Sequence, residues 1–216
     1  MVAGGDAAAA ALTPLNSPGS QTLGSDNAMS ARRSEASPPA GVAWPAIAHF
    51  TRAAGEARAI DNLIAILGAG VIRGSTRMVR GGRPVVCLCD APVGELRHIL
   101  ARVNRRRYEP FGVAVEKRYA FRMGARPAIY MPWNEAEPSL DSAEWWRVVA
   151  FDLASDPPVD WSFEREWRVA GDLPLEPAAT VALVATWRDA DEIYDAFDGR
   201  PPCAGVMPVA EMIGSA

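Results

Sequence analysis

The sequence predicts an α+β fold for its ordered part, and three observations lead there. Hydrophobic residues make up 49% and charged residues 22% of the 216, which is enough apolar side chain for a sizeable core in one domain, or at most two. Short strand-like and helix-like segments follow one another at irregular spacing, unlike a regular βαβ array. No stretch approaches the ~20 consecutive apolar residues that a membrane span needs.

Residues 1–42 are rich in Ala, Gly, Ser and Pro and lack aliphatic periodicity. Such a segment buries too little apolar surface to offset its ordering entropy, so a disordered tail is expected there. The run Ala7–Leu12 is apolar but short and has no basic flank, so it does not read as a secretory signal. Met29, just before Ser30-Ala31-Arg32-Arg33, is a candidate start. A single domain is expected over residues 43–216.

The ordered part opens near Trp44 with the apolar segment Ile47–Phe50, followed by Thr51, which can cap or begin a turn. Ile60, Leu63, Ile64 and Leu67 fall at i, i+3, i+4 and i+7, the buried face of a helix that Gly68 and Gly70 end. Val71-Ile72 is a brief apolar stretch, and the polar, glycine-bearing Arg73–Gly82 reads as a mobile loop. Pro84–Cys89 is a buried strand, and a helix is expected from Val93 to about Arg105, with Leu96, Ile99, Leu100 and Val103 inward. Strands follow at Val113–Val115 and Ala128–Met131, then a helix over Ser139–Leu153. Glu166–Val169 alternates polar and apolar, the pattern of a half-buried strand. Thr180–Thr186 is a further strand, Asp189–Phe197 a helix, and Gly205–Val209 a last short strand.

Charge is distributed unevenly. Residues 49–126 hold 15 Lys and Arg against 6 Asp and Glu, whereas residues 127–216 hold 5 against 17. A basic half beside an acidic half suits either a cleft that draws an anion to one wall or two halves that pair with each other. Nearly all the positive charge is arginine, with Lys117 the only lysine. Arg97, Arg102, Arg105, Arg106 and Arg107 form a cluster that could meet nucleic-acid phosphates, or could be a solvated helix end. Three cysteines, an odd and small number, argue against a disulfide framework and fit a reducing cytoplasm. Cys87 and Cys89 read as buried strand residues without the further ligands a metal site needs. No P-loop, dinucleotide-binding glycine fingerprint or serine nucleophile elbow is present.

The residues that carry chemistry are few. His49 stands at the end of a strand, before a helix that packs under it, where its ring can donate to a ribose hydroxyl or a phosphate, or satisfy a local carbonyl. Glu164 and Glu166, two apart on a strand, would share one face, and side-by-side carboxylates repel. Tyr108 and Tyr130 are candidates for stacking on a planar ring, or core residues with the hydroxyl at the rim.

His49-Phe50-Thr51, then Asn62-Leu63, Ile66-Leu67 and Gly70, resembles the opening of AbiGi-type abortive-infection proteins and, more distantly, of DarT-type DNA ADP-ribosyltransferases. The resemblance to the AbiGi-type pattern continues through Val86–Pro92, where Leu88, Cys89 and Asp90 depart from a Cys-Phe-Thr-Glu-x-Pro strand end. It runs on through Tyr108–Gly112, Lys117, Gly124–Tyr130 and Glu164–Val169, and so covers most of the chain from His49 to Leu173.

This resemblance implies an ADP-ribosyltransferase-like α+β fold, with two small packed β-sheets, a cleft between them and outer helices. It implies NAD as substrate, with Glu166 as the catalytic carboxylate, Glu164 as its helper and His49 orienting the ribose. Thr51, Tyr108, Arg126 and Tyr130 would join His49 in holding NAD. DarT-type enzymes use an arginine after the second strand, and Arg97 lies too far along to match it. The implied role is bacterial phage defence, by transfer of ADP-ribose to a nucleic acid or protein. The alternative is a non-catalytic, antitoxin-like partner of an abortive-infection toxin.

Overall fold

The computed structural model describes residues 46–90 and 108–209. The expected tail over 1–42, the expected helix from Val93 to about Arg105 and the five clustered arginines, Arg97, Arg102, Arg105, Arg106 and Arg107, lie outside the described residues. The described residues form an α+β structure, as the sequence predicts.

In chain order the larger elements begin with β1 (Ala46–Phe50), α1 (Ala59–Ala69), β2 (Val71–Ile72), β3 (Val85–Cys89), β4 (Gly112–Glu116) and α2 (Lys117–Arg122). They continue with β5 (Arg126–Pro127), β6 (Ile129–Met131), α3 (Trp133–Ser139), β7 (Val148–Ala150), β8 (Glu166–Ala170) and β9 (Leu173–Pro174). The last are β10 (Thr180–Val184), α4 (Trp187–Ala196) and β11 (Gly205–Pro208). Short 3-10 turns at Ser142–Arg147 and Ser162–Glu164 introduce β7 and β8.

Seven strands make one sheet in the order β11-β10-β4-β1-β3-β8-β5, antiparallel throughout except for the parallel β10–β11 pair. Two small ribbons, β2–β9 and β6–β7, stand beside it. The expectation of two small packed sheets is corrected accordingly: seven of the strands join edge to edge in one sheet. That sheet has a seam. β1 pairs with β4 over five residues and β3 with β8 over five, yet β1 and β3 share the single register pair Ala48↔Cys89. Strand pairing elsewhere satisfies nearly every backbone group, so a seam leaves room for side chains between the two halves.

Strand alternation divides the core. On one face Ile47, Val113, Val115, Ala182 and Val184 pack against Leu63 and Leu67 of α1 and Ile193 of α4. On the other, Ala48, Phe50, Ala114, Val181 and Leu183 form a smaller cluster with Val209. α1 forms where the apolar spacing predicts. Asp61 accepts the N–H of Arg58 at its start (2.8 Å), and at its end Gly70 adopts the left-handed conformation (φ 62°) and donates to the Leu67 carbonyl. Gly68 lies within the helix and does not end it. α4 starts with a reciprocal cap, in which Thr186 Oγ1 accepts from the Asp189 N–H and Asp189 accepts from the Thr186 N–H.

Two segments depart from expectation. Ser139–Leu153 is not a helix: a 3-10 turn ends at Arg147, and Val148–Ala150 pair in parallel with Ile129–Met131. Its apolar residues have helical spacing, but the β-branched pair Val148-Val149 suits a strand, and a pairing partner decides the matter. Arg73–Gly82, expected as a loop, is tied down at one end by reciprocal hydrogen bonds between Ser75 and Val85 and by the Arg73–Asp172 ion pair (2.6 Å). That pair, together with Arg58–Glu192, also shows that the basic and acidic halves of the chain meet each other directly.

Candidate functional site

The seam between β1 and β3 holds a cavity of about 80 Å³ lined by Ala48, His49, Phe50, Cys87, Leu88, Cys89, Tyr108, Glu164 and Glu166. Residues expected at the site from three separate segments, His49, Tyr108 and the pair Glu164 and Glu166, therefore meet around one pocket.

Glu166 is the first residue of β8 and the register partner of Cys89. Its side chain is 8% exposed. Arg168, two residues on and on the same strand face, is 5% exposed and donates from Nε to Glu166 Oε1 (2.9 Å) and from an Nη to Oε2 (3.5 Å). The other Nη of Arg168 donates to the carbonyls of Trp146 (2.8 Å) and Val148 (3.0 Å). Arg168 is therefore a buried partner of Glu166, not a surface one. A guanidinium that is always charged is the natural counter-ion for a buried carboxylate.

Glu164 reaches the same pocket by a different route from the expected strand alternation. It ends the Ser162–Glu164 turn, Arg165 takes left-handed geometry (φ 47°, ψ 49°), and only then does the strand begin. The backbone reversal at Arg165, not a period of two, brings the carboxylates together. The Arg165 carbonyl accepts the Asp90 N–H (3.2 Å), which ties this turn to the end of β3. Glu164 is 5% exposed, and its Oε2 accepts from the Tyr108 hydroxyl at 3.4 Å. The Tyr108 ring lies against Phe50, centroids 6.3 Å apart.

His49 bridges the seam. Its Nδ1 lies 2.9 Å from the Cys87 carbonyl oxygen. Desolvation holds its pKa below the ordinary value of 6.5, against the raising effect of that hydrogen bond, so the ring is neutral at pH 7. A carbonyl only accepts, so the single ring hydrogen sits on Nδ1 and Nε2 is left as an acceptor. Of the two roles the sequence allows His49, the structure shows the carbonyl contact, with Cys87 across the seam, and in this tautomer Nε2 is an acceptor. Because the folded-state pKa is depressed, the unfolded chain binds more protons as pH falls, and stability that is full above 6.5 declines below it. His49→Asn, which keeps an N–H donor for Cys87, is expected to flatten this decline in urea denaturation between pH 7 and 5. An unchanged pH profile would contradict it.

Cys87, expected to be buried, opens into the pocket. Burial of its sulfur among protein groups, the negative field of Glu166 and a thiol hydrogen bond to that carboxylate push its pKa up to about 12, against the opposing Arg168 charge. It is therefore a protonated thiol at neutral pH and a poor nucleophile. Among the described residues no group of His, Cys, Asp and Glu is placed to hold a metal ion.

Three expected site residues stand outside the lining. The Thr51 hydroxyl is buried and donates to the Ala59 carbonyl (3.0 Å), while the Thr51 N–H donates to Phe111, so this residue fastens β1 to the start of α1. Arg126 donates to the carbonyls of Phe121 and Ala125 and lies 4.1 Å over the Phe121 ring. Tyr130 acts from behind: its hydroxyl accepts the Glu166 N–H at 2.6 Å. Burial first, then the nearby carboxylates, push its pKa up to about 12. Lys117, the one lysine, is paired with Asp90 (2.5 Å) and lies 4.8 Å over Trp167, whose Nε1 donates to the same aspartate.

Among the described residues no helix is long and apolar enough to cross a membrane. No protein-family model, curated protein or solved structure matches the chain, and the chemistry of the pocket rests on its own geometry.

Proposed function

We propose that this chain is an ADP-ribosyltransferase-like protein of bacterial phage defence, and that its pocket takes the nicotinamide-ribose end of NAD as substrate. The observation that carries the reading is the meeting of His49, Glu164 and Glu166 at a seam in the sheet. Apart from the thiols and the Tyr108 hydroxyl, the polar side-chain groups lining the pocket are acceptors, two of them carboxylates. Such a lining favours a cationic ring and sugar hydroxyls over phosphate.

In this reading Nε2 of His49 accepts a hydrogen from a ribose hydroxyl and fixes the sugar. The ribose–nicotinamide C–N bond breaks with its electron pair leaving on nicotinamide, and the Glu166 carboxylate stabilises the cationic sugar. The acceptor, a nucleic acid or a protein, forms the new bond to the same carbon, and its proton passes to Glu164.

The volume limits the fit. A cavity of about 80 Å³ is smaller than the ~150 Å³ that holds a benzene ring and well below the roughly 300–1,000 Å³ of most ligand pockets. It admits the reacting end of a dinucleotide only at its mouth, and among the described residues no cationic side chain lines it for the pyrophosphate. The same observation favours the second reading, a non-catalytic partner of an abortive-infection toxin that uses this fold for recognition.

Calorimetric titration separates the two. NAD is expected to bind the wild type at up to millimolar concentration, and His49→Ala and Glu166→Gln are each expected to weaken it tenfold or more, about 1.4 kcal/mol. Absence of binding by the wild type at millimolar NAD would leave the partner-recognition reading.

A further inference from the structure

We propose that Arg168 is the positioning residue of the pocket: it does not meet the ligand, but it holds the Glu166 carboxylate in one orientation towards it. For its effect on ligand binding this inference rests on the nucleotide reading above.

Three features set this arginine apart from an ordinary ion pair. It is nearly inaccessible, at 5% exposure, so solvent screens its charge little. It meets both carboxylate oxygens of Glu166, a two-point contact that fixes the plane of the acceptor as well as its place. The remaining Nη is anchored on the carbonyls of Trp146 and Val148, where the Ser142–Arg147 turn passes into β7. The guanidinium is therefore held from both sides. Glu166 is also fixed at its backbone, where its N–H donates to the Tyr130 hydroxyl from the neighbouring ribbon. Side chain and main chain of one pocket residue are thus both referred to the β6–β7 ribbon. Arg168 is absent from the pocket lining, while Glu166 belongs to it and is the lining side chain that Arg168 holds by hydrogen bonds.

A lysine at this place keeps the charge. Its ammonium is a compact point charge and cannot span two carboxylate oxygens and two carbonyls at once. The arrangement therefore distinguishes orientation from charge alone.

The test is a double-mutant cycle in NAD affinity with wild type, E166Q, R168M and E166Q/R168M, and R168K as the conservative variant. R168M is expected to weaken binding tenfold or more in the wild-type background and less than twofold in the E166Q background, because its effect passes through the carboxylate. R168K is expected to recover only part of the loss. An equal loss in both backgrounds would show a merely structural arginine and overturn the proposal, as would a folded R168M that binds like wild type. Should R168M not fold, R168K and the double variant carry the comparison.

A second readout needs no nucleotide. In protein labelled with ¹³C at the glutamate carboxyl, E166Q identifies the Glu166 resonance, and R168K is expected to displace it. A resonance left in place by R168K overturns the positioning role. If the wild type fails to bind NAD, the nucleotide reading falls and this spectroscopic comparison alone decides the role of Arg168.

Discussion

R168M is expected to destabilise the folded protein by roughly 3–5 kcal/mol, the range for removing one partner of a buried ion pair. The substitution leaves the Glu166 carboxylate, 8% exposed, without its guanidinium, and it leaves the carbonyls of Trp146 and Val148 without the donor that now serves both. The direction is set by what remains behind: a lone buried charge costs far more than the pair itself is worth. For that reason the double variant E166Q/R168M is expected to regain most of the loss, since a neutral amide beside an apolar side chain removes the charge problem at its source. Urea denaturation of the two variants and the wild type checks both halves. A loss below about 1 kcal/mol for R168M, typical of exposed pairs, would mean that the pair is not buried in solution.

Gly112→Ala is expected to cost about 3 kcal/mol, at the upper end for overpacking. The conflict is between backbones. A Cβ at position 112 would lie 2.1 Å from the His49 carbonyl oxygen and 3.0 Å from the Phe50 Cα. Neither atom can turn aside like the end of a flexible side chain. Gly112 is the register partner of Phe50 in the β1–β4 pair, so relief requires β1 to move away from β4. That movement displaces His49 relative to Cys87 and disturbs the pocket as well as the core. A drop in melting temperature of roughly 10 °C follows for a domain of this size. An unchanged melting temperature would show that the strands are not this close.

The parts of the fold legible in the sequence are those set by local pattern. The i, i+3, i+4, i+7 spacing of Ile60, Leu63, Ile64 and Leu67 marks α1, and the β-branched run from Thr180 marks β10. The parts not legible depend on a partner distant in the chain. Val148 and Val149 carry helical spacing and become a strand because Ile129 and Tyr130 lie alongside. Glu164 and Glu166 do face one pocket as the spacing suggests, but through a left-handed arginine, a geometry usually left to glycine or asparagine and not readable from an Arg. Thr51 stands two residues from a histidine that lines the pocket, yet the Ala59 carbonyl claims its hydroxyl.

The seam between β1 and β3, beside which Cys87 is exposed, has no signature in either strand. Arg168 had a usable signal: two residues from Glu166 on an alternating strand, it had to share the carboxylate's face. What the sequence lacked was any sign that this face is buried.

Saturation-transfer NMR on NAD with the wild-type chain shows whether the nicotinamide end enters the pocket at the seam. Stronger saturation of the nicotinamide and adjoining ribose protons than of the adenine protons is expected, with the nicotinamide signal lost in His49→Ala. Saturation confined to adenine, or none at millimolar NAD, would contradict it.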